Sequence, residues 1–303
     1  MDGSGSALVR RQVGARLRHL REAAGVSMEQ VAGFLDCSVA KVSRIETGKL
    51  LARVPDVRHM LDLYGITDPE RDELLALVGQ SRQKGWWHDH SPAIGSDTRA
   101  MFLGLHDAAV GIVEYAPHLL PELVHTPDYT RAALPAGGSL GVDHVEQVVR
   151  LRAAHQDAVL DRPDPPRIVW FIDEAVACRP VGSPAVWRTQ LGRLIELARR
   201  EHVTVRLVPL TAGPGPAGGV AFVRLDFLNP ADPPVVFLDR LHDSHIETRR
   251  ATVDHYTGLV GALTRAALSP AQTIDRLTGC AHRIGRPTSG PRSVAPRPLP
   301  APN

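Results

Sequence analysis

Apolar residues recur at steps of three and four through the first quarter of the chain: Val13, Leu17 and Leu20, then Val31, Phe34 and Leu35, then Val42 and Ile45. That period places each set on one face of a helix. Between the sets, "AAGVS" and "LDCS" each put a serine just ahead of the next apolar run, which is an N-cap position. The pattern predicts a first helix ending before Gly25, a second over 27–34 and a third over 38–47, with Gly48 as a left-handed C-cap. Two more helices are expected, over 55–64 and over 68–80, the latter with Pro69 in its first turn. Helical periodicity continues over 98–114 and 143–160, separated by a proline-broken stretch. Strand signals, β-branched and apolar, are read only after residue 165: 167–172, 203–210, and a pair, "VAFVRLDFL" and "PVVFLD", expected to run antiparallel around "NPADP". Long helices are expected over 187–200 and 247–267.

The expected fold class is therefore an all-α N-terminal domain of five helices followed by an α+β domain with a mixed sheet. The boundaries are 8–84 for the first, 85–280 for the second and 281–303 for a disordered tail, which holds six prolines in its last 18 residues. Residues 1–7 are small and polar and are expected to fray. At 303 residues and 43% hydrophobic, the chain has enough apolar material for two cores.

Charge changes the picture more than composition does. The whole chain carries only +2, but residues 8–53 hold nine Arg/Lys against four Asp/Glu. A basic start ahead of an acidic body assigns any nucleic-acid contact to the start. Three scattered cysteines, Cys37, Cys178 and Cys280, point to reduced thiols instead of a disulfide framework or zinc site. No apolar run has the length of a membrane span, and the first residues lack a hydrophobic signal core, so a cytoplasmic protein is expected.

Three short helices joined by tight polar turns have the size of a helix-turn-helix unit. On the third, Val42 and Ile45 face the core, which leaves Val39, Ala40, Lys41 and Arg44 on the outer side. The run "GARLRHLREAAGVSMEQVAGFLDCSVAKVSRIETGK" resembles the helix-turn-helix of the phage-repressor (XRE/Cro) family. The resemblance implies a recognition helix in the major groove, with base-reading residues at Val39, Ala40, Lys41 and Arg44 and phosphate contacts at Thr47 and Lys49. Ser38 and Ser43 complete the implied DNA-binding set. It also implies a buried ion pair, here Arg21 with Glu46, that ties the first helix to the recognition helix. One position departs from the family: Met28 stands where Gln is usual.

Residues 86–277 resemble, in patches, the antitoxin-like DUF5753 domain found behind such units in actinobacterial regulators. The patches include "WW" at Trp86 and Trp87, "TPDY" at 126–129, "IDEAVACRPVGSPAVWRTQL" and "ALSP". Glu122 and His125 stand where Gly and Gln are usual. Enzyme-like signals in this region have blander explanations. The GxGxxG at Gly213, Gly215 and Gly218 is interrupted by prolines and followed by a strand instead of a helix. Asp173 reads as a helix cap, with Glu174 on the first turn. "HDH" at 88–90 and "HDSH" at 242–245 lack a third ligand at a diagnostic spacing. The four tryptophans read as core or docking residues.

The expectation is a non-enzymatic, sequence-specific transcriptional regulator without cofactor or metal. It binds double-stranded DNA as a homodimer on paired half-sites. The second domain serves dimerisation, partner binding or ligand sensing. The resemblance also implies a small partner protein encoded nearby, and the alternative function is an antitoxin-like protein that holds such a partner and autoregulates.

Overall fold

The computed structural model describes residues 5–81, 84–134, 141–213, 217–230, 232–239 and 243–283. The expected tail beyond Arg283, and Gly215 of the glycine-rich motif, lie outside the described residues. The N-terminal region is five helices: α1 (Gly5–Ala23), α2 (Met28–Phe34), α3 (Val39–Glu46), α4 (Val54–Tyr64) and α5 (Glu70–Gln80). Their core gathers Val13, Leu17 and Leu20 of α1 with Val31, Val42, Ile45, Val57, Met60, Leu61, Leu74 and Val78. These are the periodic apolar positions, closed into one cluster by the turns between the helices.

The described residues that follow are built on one six-stranded mixed sheet in the order β3-β2-β1-β4-β5-β6. A 3-10 turn at Trp86–His90 and the short α6 (Ser91–Ile94) lead into α7 (Asp97–Ala108) and then β1 (Gly111–Ala116). The chain continues through α8 (Pro127–Ala133), α9 (Val142–Leu160), β2 (Arg167–Asp173), α10 (Glu174–Cys178), α11 (Pro184–Leu197) and β3 (Val203–Val208). It ends with β4 (Phe222–Asp226), β5 (Val235–Asp239), β6 (Ser244–Glu247), α12 (Arg250–Ala266) and α13 (Pro270–Arg283). β1, β2 and β3 pair in parallel, and β4, β5 and β6 add antiparallel. Alternation along the strands divides the packing. Ile168, Trp170 and Ile172 join Leu105 of α7, Leu151 of α9, Leu191 of α11 and Leu277 of α13 in one core, whereas Phe171, Tyr115 and Phe222 pack with Val253 and Leu263 of α12 on the opposite face.

Three expectations are corrected here. The segment 98–114 is not one helix: α7 ends at Ala108 and "GIVEYA" is β1, the strand that joins the parallel and antiparallel halves of the sheet. Its β-branched and aromatic residues suit a strand, and pairing with β2 and β4 overrides the local helical periodicity. Of residues 1–7, expected to fray, 5–7 are the first residues of α1, where Ala7 is fully buried, and 1–4 lie outside the described residues. Residues 281–283, read as tail, are the last residues of α13.

Ala7 belongs to the core of the second domain, beside Trp87. A Cβ added to Gly104 of α7 would lie 2.4 Å from the Ala7 methyl, so a glycine is required for α1 and α7 to approach this closely. Farther along α1, Arg11 donates to the Pro233 carbonyl at 2.7 Å and Gln12 donates to Asp232 at 2.8 Å. One helix thus serves two cores, the second domain through its first turns and the helix-turn-helix through Val13, Leu17 and Leu20.

Candidate nucleic-acid interface

Ser27 caps α2 reciprocally: its Oγ accepts from the Gln30 amide at 3.2 Å while Gln30 Oε1 accepts from the Ser27 amide at 2.8 Å. The turn that follows places Asp36 at φ 50°, and the Cys37 amide returns to the Ala32 carbonyl at 2.9 Å. Ser38 then caps α3 by accepting from the Lys41 amide at 3.2 Å. These local bonds fix where α3 begins. Its depth is set by Gly14 of α1, where an added Cβ would lie 2.5 Å from the Ile45 carbonyl oxygen. Gly48, at φ 71°, ends the helix and passes against the Arg11 backbone.

The Arg21–Glu46 pair locks the orientation. Arg21 Nε donates to Glu46 Oε1 at 2.6 Å and Nη2 donates to Oε2 at 3.0 Å, a two-bond fork. Both side chains are nearly inaccessible, and the bonds to Glu46 raise the Arg21 pKa further. Arg21 Nη1 also donates to the Val26 carbonyl, which anchors the entry to α2.

With Val42, Ile45 and Glu46 buried, α3 presents Val39, Ala40, Arg44 and Thr47 to solvent, and Ser38 is exposed at its start. Ser43 is half-buried, and the Thr47 hydroxyl donates back to the Ser43 carbonyl at 2.8 Å. Lys41 is engaged by α4: its Nζ lies 2.9 Å from Asp56 Oδ2, and the pair is partly buried. Lys49 is half-buried beside the Gly48 turn and makes no ion pair among the described residues.

Arg44 has a partner that no local pattern indicates. Its Nη2 lies 2.6 Å from Oδ2 of Asp97, the first residue of α7 in the second domain. Asp97 also acts on Arg10, whose pKa is lowered by burial, an effect Asp97 partly offsets. The basic excess of the first domain is largely neutralised internally, since Arg16 pairs with Glu70 and Arg18 with Glu22. The exposed cation on the outer face of α3 is therefore Arg44, held by an acid of the neighbouring domain.

The second domain assigns its conspicuous acids structural tasks. Asp173 caps α10 by accepting from the Ala175 amide at 2.9 Å, and Glu174 accepts from the Leu210 amide and pairs with Arg276. Trp87, Trp170 and Trp187 are core residues, and Trp86 stacks on His155. The three cysteines are free, and no group of three or more His, Cys, Asp or Glu able to hold a metal ion occurs among the described residues. No helix among them is long and apolar enough to cross a membrane.

A family model described as a helix-turn-helix domain matches residues 12–74, and a model described as a domain of unknown function (DUF5753) matches residues 100–279. No curated protein and no solved structure matches the chain.

Proposed function

Because the chain belongs to the DUF5753 family and carries a helix-turn-helix domain ahead of that region, we propose that it is a sequence-specific transcriptional regulator in which α3 enters the major groove of DNA. The observation that carries this reading is the face of α3 itself. Between a serine cap and a glycine stop, it exposes Val39, Ala40, Arg44 and Thr47 while every apolar anchor behind it is buried. Arg44 bonds a guanine through O6 and N7 once released from Asp97, and Val39 and Ala40 give apolar contact to a thymine methyl. So few base contacts leave a single module poorly selective, which favours a homodimer on two half-sites and a contribution from DNA shape. The second domain supplies dimerisation and senses a ligand or partner. A small protein partner, as in the antitoxin-like reading, is compatible with DNA binding. The protein acts without catalysis, in the cytoplasm. Competitive binding to duplexes of varied sequence tests the reading: Arg44→Ala should cost about 1–3 kcal/mol on the preferred site and relax one base position. Equal binding by both proteins to all sequences would reject it.

A further inference from the structure

Two cavities of about 370 Å³ and 230 Å³ adjoin in the second domain, and Arg99, Glu122, His155 and Asp239 line both. They lie at the carboxyl end of β1, beside the start of β4. There the strand order reverses, since β2 and β3 extend from one side of β1 and β4 from the other. Clefts outside the carboxyl ends of parallel strands, lined by apolar groups with a few convergent polar ones, are common ligand sites.

The side chains of Arg99 and Arg152 are only 16% and 15% exposed, yet they share one carboxylate, Glu122. The next acid, Asp239, stands 3.7 Å from Arg99 Nη1 with its side chain 57% exposed on the rim. The histidines add no charge. Burial holds His125 and His155 at a pKa of about 3 and His106 well below its ordinary value. Two interior arginines thus converge on one half-buried carboxylate, and the other acids lining the larger cavity, Asp239 and Asp243, are exposed at its rim.

A second feature points the same way. His106 is 2% exposed, its Nδ1 lies 2.7 Å from His155 Nε2, and its Nε2, buried in the wall of the smaller cavity, has no partner. Whichever tautomer the pair adopts, that nitrogen is an unused donor or acceptor. The surrounding surface is aromatic. Phe102 and Phe237 stack with centroids 3.9 Å apart, Arg99 lies over both rings, and Phe222 also lines the chamber. Glu114, on the inward side of β1, faces the same space, and burial pushes its carboxyl up to about 8.

We propose that these adjoining cavities bind a small aromatic carboxylate, its carboxylate drawn to Arg99 and Arg152 and its ring placed against Phe102 and Phe237. This assignment rests on the reading of the second domain as the sensing part of the molecule. The ligand brings a second carboxylate to the two interior arginines, and a polar ring substituent meets His106 Nε2. A guanidinium fork suits a carboxylate, and the aromatic lining suits a planar body. α7 carries Arg99 into the cavity and Asp97 onto Arg44, so the site and the recognition helix share one element.

The test is calorimetric titration of the full-length protein with 4-hydroxybenzoate, and separately with 4-hydroxybenzamide, which is uncharged. The expected result is binding of the acid with Kd of about 1 mM or tighter, no binding of the amide, and at least a tenfold loss in Arg152→Gln. Arg152→Lys keeps the charge but loses the fork and should show a smaller loss; it also serves if the Gln variant does not fold. In histidine-labelled protein the His106 ring nitrogens should shift on adding the acid. Absence of binding by the acid, equal binding of the amide, or full affinity in both folded Arg152 variants overturns the proposal. The titration contains no DNA, so failure of the DNA-binding reading would leave its outcome unchanged.

Discussion

Replacing Asp97 with Asn should strengthen DNA binding. In the free protein Arg44 is held by Asp97 at 2.6 Å, and a base contact requires that pair to open. The cost of opening is small because the side chains are 49% and 67% exposed. Exposed pairs contribute about 0.2–1 kcal/mol. Removing that cost raises affinity about 1.4- to 5-fold, from 1.4 kcal/mol per factor of ten. Loss of a carboxylate near the phosphates adds to the gain at low salt and fades as salt screens it. The assay is fluorescence anisotropy on one preferred and one scrambled duplex at two salt concentrations, for wild type, Asp97→Asn, Arg44→Ala and the double variant. The double-mutant cycle isolates the coupling between the two side chains. In the Arg44→Ala background the gain on the preferred duplex should shrink to its salt-dependent part and vanish at the higher salt concentration. Unchanged or weaker binding by Asp97→Asn, or the same gain without Arg44, would refute the reasoning.

Other outcomes follow from the same geometry. Glu46→Gln should destabilise the protein by about 3 kcal/mol in urea unfolding by leaving buried Arg21 only the Glu22 carboxylate at 3.5 Å, whereas the paired change Arg21→Met with Glu46→Leu should recover much of that loss. Gly14→Ala places a methyl carbon 2.5 Å from the Ile45 carbonyl, so overpacking of about 1–3 kcal/mol should exceed the helix-propensity gain of about 1 kcal/mol and lower the melting temperature. The buried cluster near β1 also sets a pH optimum. His125 and His155 are neutral when folded, with pKa values of about 3, so the unfolded chain binds more protons below the unfolded histidine pKa of about 6.5. Stability should then fall by about 1.4 kcal/mol per histidine per pH unit as pH drops from 6.5 toward 3. Glu114, raised to about 8, works in the opposite direction, since its unfolded carboxyl releases a proton first and stability declines as pH rises from about 4.5 to 8. The two trends give a maximum near pH 6.5, and Glu114→Gln should flatten the alkaline side in denaturation curves recorded across pH.

How much of this was legible in the sequence depends on the range of the forces involved. Ser27, Ser38 and Gly48 act within four residues of their partners, so the limits of α2 and α3 follow from local chemistry. The apolar steps through Val13, Val31 and Val42 locate the first core for the same reason. β1 was not legible, because Gly111–Ala116 becomes a strand by pairing with segments more than fifty residues away. Nor were the partners of the recognition cations. Asp56 lies 15 residues beyond Lys41, and Asp97 lies 53 beyond Arg44. Glu122 and His125 stood out as departures from a family pattern, but their meeting with Arg99 and Arg152 requires the fold to bring α7, the 122–125 turn and α9 together. Ala7 likewise reads as part of a polar leader until α7 supplies the groove that buries it.

The most direct measurement is selection from a random duplex library with the full-length protein, repeated with Arg44→Ala. Enrichment of a two-part motif, degraded at one base position in each half by the substitution, is the predicted result. Folded protein that enriches no motif, or the same motif with and without Arg44, would contradict the placement of α3 in the groove.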